Sequence, residues 1–454
     1  MLRTLRAHLR GLAMLIALAA TAATPRPARG DARLPVTRVT LGNGLRVVLA
    51  PDSLASVLDA ALWFPAGTRH ETASQTGLAL LAARLTFRNG TSDPLAPLAA
   101  EGGSGALAVT PDLTSFSATV PAEASSAALA FLADRLPGKP VSAAQLAGER
   151  AALRAERTRS ERTPVGRALA KLWSAAWPGH AYGQTGAPPA APGDALAPAD
   201  VDAWRAARYA PGSAVLSLAG AFDPQRALAD VRARFERLPR GAAPAATARG
   251  SRPAPPRAAG RATGALDVPA RLCLVGWRGP GAADPDTPAL ELLATCLGEG
   301  SQSRLVSSLV RDWNLALTAQ AGFVAQQDGS LLWTLAVVQP GADSAAVERT
   351  LLDAARGISE RAPEAFELER ARRQLESTVW FGLQTARQRG EAVGEAEMLA
   401  GDAGALDRRL QALDRVTPDD IRRVASRVLV DATRATVWML PAAGPGAAGG
   451  AGAR

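Results

Sequence analysis

From Thr37 onward the chain alternates between short apolar runs with a two-residue period and longer stretches with apolar residues three and four apart. "TRVTLGNGLRVVLA", Thr37 to Ala50, has the first rhythm on both sides of Gly42-Asn43-Gly44, which predicts a hairpin turning at those residues. "LDAALWF", "SFSATVP" and "SAVLSLAGAF" read as further strands. "TGLALLAARLTF", "AEASSAALAFLADRL" and "SAAQLAGERAALRAERTRS" have helical spacing, and "DPQRALADVRARFERL" reads as a helix capped by Asp223 with Pro224 at its first position. Strands interleaved with helices, several joined by short hairpins, predict an α+β fold with helices on one sheet face.

The pattern occurs twice. "VPAEASSAALAFLADRL" at Val120 and "QPGADSAAVERTLLDAA" at Gln339 each follow a strand-like run and open an amphipathic helix. "ERAALRAE", Glu149 to Glu156, returns as "ERARRQLE", Glu369 to Glu376. The shift is 219 residues between Pro121 and Pro340 and 220 between Glu149 and Glu369, so a unit of domain size is duplicated. Between the copies, "LPRGAAPAATARGSRPAPPRAAGRATG" lacks apolar periodicity and reads as a Pro/Ala/Arg-rich linker. The expected organisation is an N-terminal unit over 33–240, a linker over 241–264, a C-terminal unit over 265–441 and a structureless tail over 442–454.

Residues 1–30 stand apart. A basic start, the apolar run "GLAMLIALAATAA" and the small residues Ala20-Thr21-Ala22 predict a secretory signal cut after residue 22 or after Gly30. The run is shorter than the roughly 20 residues a membrane span needs, so the expectation is an exported protein, periplasmic or secreted, with no stable membrane anchor. This also reframes the charge. The net +9 of the 454-residue chain includes Arg3, Arg6, Arg10, Arg26 and Arg29, and the remainder carries +4, which gives no case for nucleic acid as a partner. The two cysteines, Cys273 and Cys296, lie in apolar runs that fit either a disulfide or two buried thiols.

"LGNGLRVVL", "FPAGTRHE", "TGLALLAARLTFRNGT", "ERAALRAE", "PGHAYGQTG" and "YAPGSAVLSLAGAFD" resemble, in order and spacing, the first half of the pitrilysin/insulinase metallopeptidases, the group that includes the mitochondrial processing peptidase. "PDTPALELLATCLGEGSQSRLVSSLVRDWNLALTAQA" is similar to that family's C-terminal domain, so the resemblance runs from Leu34 to Pro441. It implies two homologous metallopeptidase-like domains. Active members carry an inverted zinc motif, His-x-x-Glu-His, because histidines four apart share one helix face and the glutamate beside them activates a metal-bound water. Here that motif falls on residues 80–84, where Leu80 and Arg84 replace the ligands and Ala83 replaces the base.

The resemblance maps the family's third ligand onto Glu156, with Glu149 two turns earlier on the same face. These are either solvated helix glutamates, as the copies Glu369 and Glu376 suggest, or carboxylates whose lost metal is replaced by the cation of Arg84, pairing with Glu156. The family's substrate-binding Arg and Tyr map onto Arg311 and Leu317, so the tyrosine is lost. His70 and His180 have no histidine partner at helical spacing, and "GEGSQS", Gly298 to Ser303, reads as a structural turn between helices. The family's peptide-binding edge strand maps onto Gly102 to Phe116.

Three functions follow as expectations. The first is a catalytically inactive subunit that pairs with an active, zinc-bearing homologue around a peptide chamber; its own cofactor is none, with zinc only in the partner. The second is a peptide-binding scaffold without a protease partner. The third is an autonomous hydrolase drawing on Glu149, Glu156 and His180.

Overall fold

The computed structural model describes residues 35–136, 138–160, 164–184, 195–241, 260–266 and 270–442. The expected signal peptide, the linker from 242 to 259 and the tail from 443 lie outside the described residues.

In the first half the elements are β1 (Thr37–Thr40), β2 (Arg46–Pro51), β3 (Val57–Phe64), α1 (Leu78–Arg88), α2 (Ala96–Ala99), β4 (Ser104–Val109) and β5 (Thr114–Pro121). There follow α3 (Ser125–Ala133), α4 (Ala143–Ser160), α5 (Pro164–Ala176), α6 (Pro198–Arg208), β6 (Val215–Gly220) and α7 (Pro224–Phe235). The second half has β7 (Gly260–Leu266), β8 (Leu272–Gly279), α8 (Thr287–Gly298), β9 (Ala316–Ala325), β10 (Ser330–Val338) and α9 (Ser344–Glu360). It ends with α10 (Ala365–Phe381), α11 (Ala386–Ala400), α12 (Ala405–Arg415), α13 (Pro418–Val428) and β11 (Arg434–Pro441).

The first sheet runs β1-β2-β6-β3-β5-β4 and the second β7-β11-β8-β10-β9. Leaving out β1, the orders correspond strand for strand, and among the described residues each sheet contains a single parallel pair, β2 with β6 and β7 with β11. The duplication read from the sequence is therefore a duplication of topology. One boundary moves. The linker expected to reach Gly264 ends earlier, because Gly260–Leu266 is strand β7, paired in parallel with β11. Its Gly, Arg and Thr hold their place through backbone hydrogen bonds, which demand no apolar composition.

Local rules explain the elements. In the β1–β2 hairpin the Asn43 side chain donates to the Phe235 and Leu238 carbonyls, and Gly44 takes φ +88°, which only glycine adopts cheaply. Asp223 caps α7, its side chain accepting from the Arg226 N–H, with Pro224 at the first position. Inner residues of β3 and β6, such as Leu58, Leu62, Leu216 and Leu218, join α1, α3, α6 and α7 in the first core.

Helices on one sheet face describe only part of the arrangement, because each sheet has its second face covered by a helix from the other half. Helix α5, with Leu172 and Trp173, lies on Leu272, Leu274, Leu331 and Val437 of the second sheet. Helix α11 lies in return on β3 and β6 of the first. That approach is close. A Cβ built on Gly394 would sit 2.1 Å from Trp63 Nε1, and one on Gly390 2.7 Å from Asp59 Oδ2. Glu397 of α11 is 1% exposed and accepts hydrogen bonds from Arg38 (2.8 Å), Arg46 (3.1 Å) and the Ala403 N–H (3.1 Å). The turn after β9 also docks on the first half: Arg69 donates to Asp328 at 2.6 Å and to Gln327 at 2.8 Å. The Gln327 N–H donates to Asp112, which also accepts from Tyr182 Oη, each at 3.0 Å. From Val36 on, both halves belong to one compact unit.

Asp59 makes the interface under α11 pH-sensitive. Its side chain is fully buried, Thr119 Oγ1 donates to Oδ1 at 2.6 Å, and Oδ2 has no hydrogen-bond partner among the described residues. Burial pushes its pKa to about 6, against the pull of the Thr119 hydrogen bond and Arg387. A carboxyl whose folded pKa is raised holds its proton better folded than unfolded, so stability falls as pH rises from about 4 to about 6. Asp59→Asn mimics the protonated form. Urea melts should show its stability relative to wild type improving by about 2 kcal/mol between pH 4 and pH 7; a pH-independent difference would refute the ionisation.

Candidate functional site

Helix α1 carries the positions where the sequence places the degenerate motif. Gly77 enters it at φ +90°, and Asn89 and Gly90 end it in the left-handed region. Leu78, Leu81, Ala82 and Leu85 are buried in the first core. Its first N–H groups are satisfied from outside, as Gly77 and Ala79 donate to the Glu71 carboxylate at 3.0 and 2.7 Å. Burial nevertheless raises the Glu71 pKa to about 7, against those two hydrogen bonds.

Within this frame Ala83 is buried, Leu80 packs at the edge of the core, and Arg84 turns toward α4. Arg84 Nε donates to Glu149 Oε2 at 2.8 Å and Nη1 donates to Glu156 Oε2 at 2.6 Å. Two helical turns separate the carboxylates, and one guanidinium spans them. Arg88, one turn after Arg84 on the same face, closes on Glu149 Oε1. Glu149 is 4% exposed, so its charge would be costly without these partners, while Glu156 lies nearer solvent. Burial works against the charge of Arg84, but the hydrogen bonds it donates to Glu149 and Glu156, with the negative charge of both carboxylates, outweigh burial and hold its pKa above the ordinary arginine value.

Of the alternatives at these glutamates, the solvated reading does not hold for Glu149, and Arg84 reaches both carboxylates rather than Glu156 alone. Arg88 escaped the sequence reading, although its i+4 spacing from Arg84 was the available signal. The copies behave differently, since Glu369 pairs with Arg372 and Arg373 of its own helix. The donor set at α1 and α4 does not fit zinc: a leucine and an arginine stand at the ligand positions, and both carboxylates already serve a cation.

The remaining candidates lie apart from this cluster. His180 accepts from the Tyr182 N–H and packs against Trp177 and Tyr182. Its charged neighbours are Asp328, Arg69, Asp112 and Arg278, so the structure does not bring it to Glu149 and Glu156 as the hydrolase reading requires. His70 is buried in a turn, its Nδ1 accepting from the Gly67 N–H at 3.0 Å. Among the described residues no group of three or more potential ligands is poised for a metal. Arg311 lies in a π-helical stretch, Val306–Asp312, donating to Gln302 at 3.3 Å and to Ser307. Leu317, 58% exposed, opens β9. Strand β4, within the segment expected to hold the peptide-binding edge, is indeed outermost in its sheet. Cys273 and Cys296 are buried free thiols on β8 and α8 rather than a disulfide, and burial raises both pKa values.

Comparison with known proteins places this architecture. Residues 46–190 match the profile described as Insulinase (Peptidase family M16), and residues 195–375 match that described as Peptidase M16 inactive domain. The chain belongs to the M16 family. An uncharacterized zinc protease of Streptomyces coelicolor is 27% identical over 438 residues, covering 90% of this chain and 93% of the relative. The crystal structure of a protease from Helicobacter pylori superposes with a TM-score of 0.82 at 21% identity, covering 90% of this chain and all of that one. A Pseudomonas fluorescens structure titled as a peptidase M16 inactive domain gives 0.79 at 20% identity, covering 90% and 98%. At these identities the two structures establish the M16 fold alone. The word "inactive" describes a profile matched by residues 195–375, so the state of the α1 site rests on Leu80, Ala83 and Arg84 themselves.

Proposed function

We propose that this chain is a non-catalytic M16 subunit that pairs with an active, zinc-bearing homologue to enclose a chamber in which peptides are degraded or processed. The observation that supports it is the Arg84 clasp. The helix that would present two histidines and a glutamate presents a guanidinium bound to both remaining carboxylates, while the surrounding fold keeps its packing. Hydrolysis by a metal-activated water needs ligands and a base at residues 80–84, and Leu80, Ala83 and Arg84 supply neither. The zinc belongs to the partner. The basic, apolar and small-residue order of residues 1–30 supports export, so the pair would work in the periplasm or outside the cell.

The test is affinity purification of the chain from its own cells, with mass spectrometry and metal analysis. A stoichiometric relative with an intact His-x-x-Glu-His helix should co-purify. The isolated chain should hold no stoichiometric zinc and cleave no peptide, and adding it should raise the relative's peptidase rate. Chelator-sensitive hydrolysis by the isolated chain would overturn the reading.

Leu317 favours one alternative. With leucine in place of the family's tyrosine, the usual substrate grip is halved, which suits a scaffold that holds extended peptide along the edge of β4 without any protease. Recovery of the chain without a peptidase relative would select it.

A further inference from the structure

Helix α10 is apolar on two sides. Leu368, Ala371 and Leu375 pack into the second core, as one stripe of a surface helix should. On the other side Phe366 and Phe381 are 68% and 64% exposed, and Trp313, just after the stretch Val306–Asp312, is 69% exposed. A cleft of about 810 Å³ opens between Trp313, Phe366 and α9, and a second of about 710 Å³ continues from Phe366 to Phe381. The face thus offers recesses together with projecting aromatic side chains of the kind that fill recesses, which is the make-up of an interaction surface.

Its charges bear on the partner. Two pairs are closed within the chain, Arg304 with Glu367 at 2.8 Å and Arg373 with Glu369 at 3.0 Å. Four more side chains line the first cleft, exposed and without a hydrogen bond or ion pair among the described residues: Arg349, Arg361, Asp353 and Glu364. Two cations and two anions left open together suit neither an acidic nor a basic partner, since either would meet as many like charges as opposite ones. A second copy of the same face carries both signs in equal number. Across a two-fold axis each contact of a cation with an anion is made twice, and so is each insertion of an aromatic into a cleft.

We infer that this face binds a second copy of the chain about a two-fold axis, with Trp313 and Phe366 of each protomer entering the cleft of the other and Arg349 and Arg361 of each facing Asp353 and Glu364 of the other. Large aromatics at the centre supply the binding energy, and the charges around them set the register. The contact uses no residue of the Arg84 cluster and needs no zinc-bearing relative, so it stands or falls apart from the function proposed above.

Sedimentation velocity of the whole chain over a concentration series should show a reversible monomer–dimer equilibrium. Phe366→Ala and Trp313→Ala, both at exposed positions, should each raise the dimer Kd about tenfold or more, a loss of at least about 1.4 kcal/mol. Charge reversal then tests the occupant. Asp353→Lys with Glu364→Lys makes the cleft basic, Arg349→Glu with Arg361→Glu makes it acidic, and each doubly substituted chain should be monomeric with an unchanged circular dichroism spectrum. Mixed one to one, the two should recombine into a dimer containing one of each. A chain that stays monomeric throughout the series, a dimer that survives both aromatic substitutions, or charge-reversed chains that fail to recombine would each overturn the assignment. So would a monomeric chain that captures a peptidase relative and loses it on Phe366→Ala, because the face would then belong to a heterodimer.

Discussion

Residues 36–241 produced alone should fail to form a stable monomer. In the intact chain α5 rests on the second sheet, and Leu172, Trp173 and Trp177 are buried there. Without that sheet they face water, and a buried apolar side chain of this size contributes about 1.5–3 kcal/mol. Three such losses, with the face of β3 and β6 uncovered by the departure of α11, approach the total stability of about 5–15 kcal/mol that a domain has to lose. Circular dichroism and size-exclusion chromatography of the isolated half should therefore show aggregation or a molten state. Mixing it with residues 260–442 should restore a one-to-one complex, and a protease cut confined to 242–259 should leave the pieces co-eluting. A cooperative, monomeric first half would mean that the helix exchange is dispensable.

Arg84→Met should cost about 2–3 kcal/mol, read as a lower urea midpoint and Tm. The substitution keeps the length of the side chain and removes the charge, leaving the buried Glu149 with Arg88 alone. Breaking a buried ion pair by deleting one partner typically costs about 3–5 kcal/mol, and the partial exposure of Arg84, with Arg88 still in place on Glu149, brings this case to or just below the bottom of that range. Adding Glu149→Gln should recover much of the loss, because the stranded charge is then gone; the coupling in that double-mutant cycle measures the clasp directly. A stability unchanged by Arg84→Met would show that the carboxylates need no replacement cation, and with it the main support for the pseudoenzyme reading would weaken.

The sequence made much of this visible because local rules and repetition carry it. The hairpin at Gly42-Asn43-Gly44, the cap at Asp223 and the recurrence of "ERAALRAE" as "ERARRQLE" all signal through nearest neighbours or through self-similarity. The substitutions at residues 80–84 were equally plain, since a missing histidine is a missing donor whatever the fold. The helix exchange was not visible. The apolar stripe of α5 says that the helix must lie on something, but periodicity does not say which sheet, and the answer depends on contacts across more than a hundred residues. Strand β7 escaped for a different reason: its partner reads backbone, and its Gly-Arg-Ala-Thr-Gly sequence has the composition of the linker beside it. The two arginines on Glu149 fell between these cases. Arg84 is conspicuous because it stands at a ligand position, while Arg88 replaces no ligand and carries no such signal.

The traded helices also bear on ancestry. A single ancestral unit would have had one sheet face bare, and two copies could have covered both faces by lending each other a helix, as a symmetric pair. Joining them in one chain turned an association limited by cellular concentration into an intramolecular one, with an effective concentration on the order of millimolar. Once partnership was guaranteed by the peptide chain, the copies no longer had to remain alike. Their descendants at the glutamate pair have already parted: Glu149 is held across two helices by Arg84, and Glu369 is held within its own helix by Arg372 and Arg373.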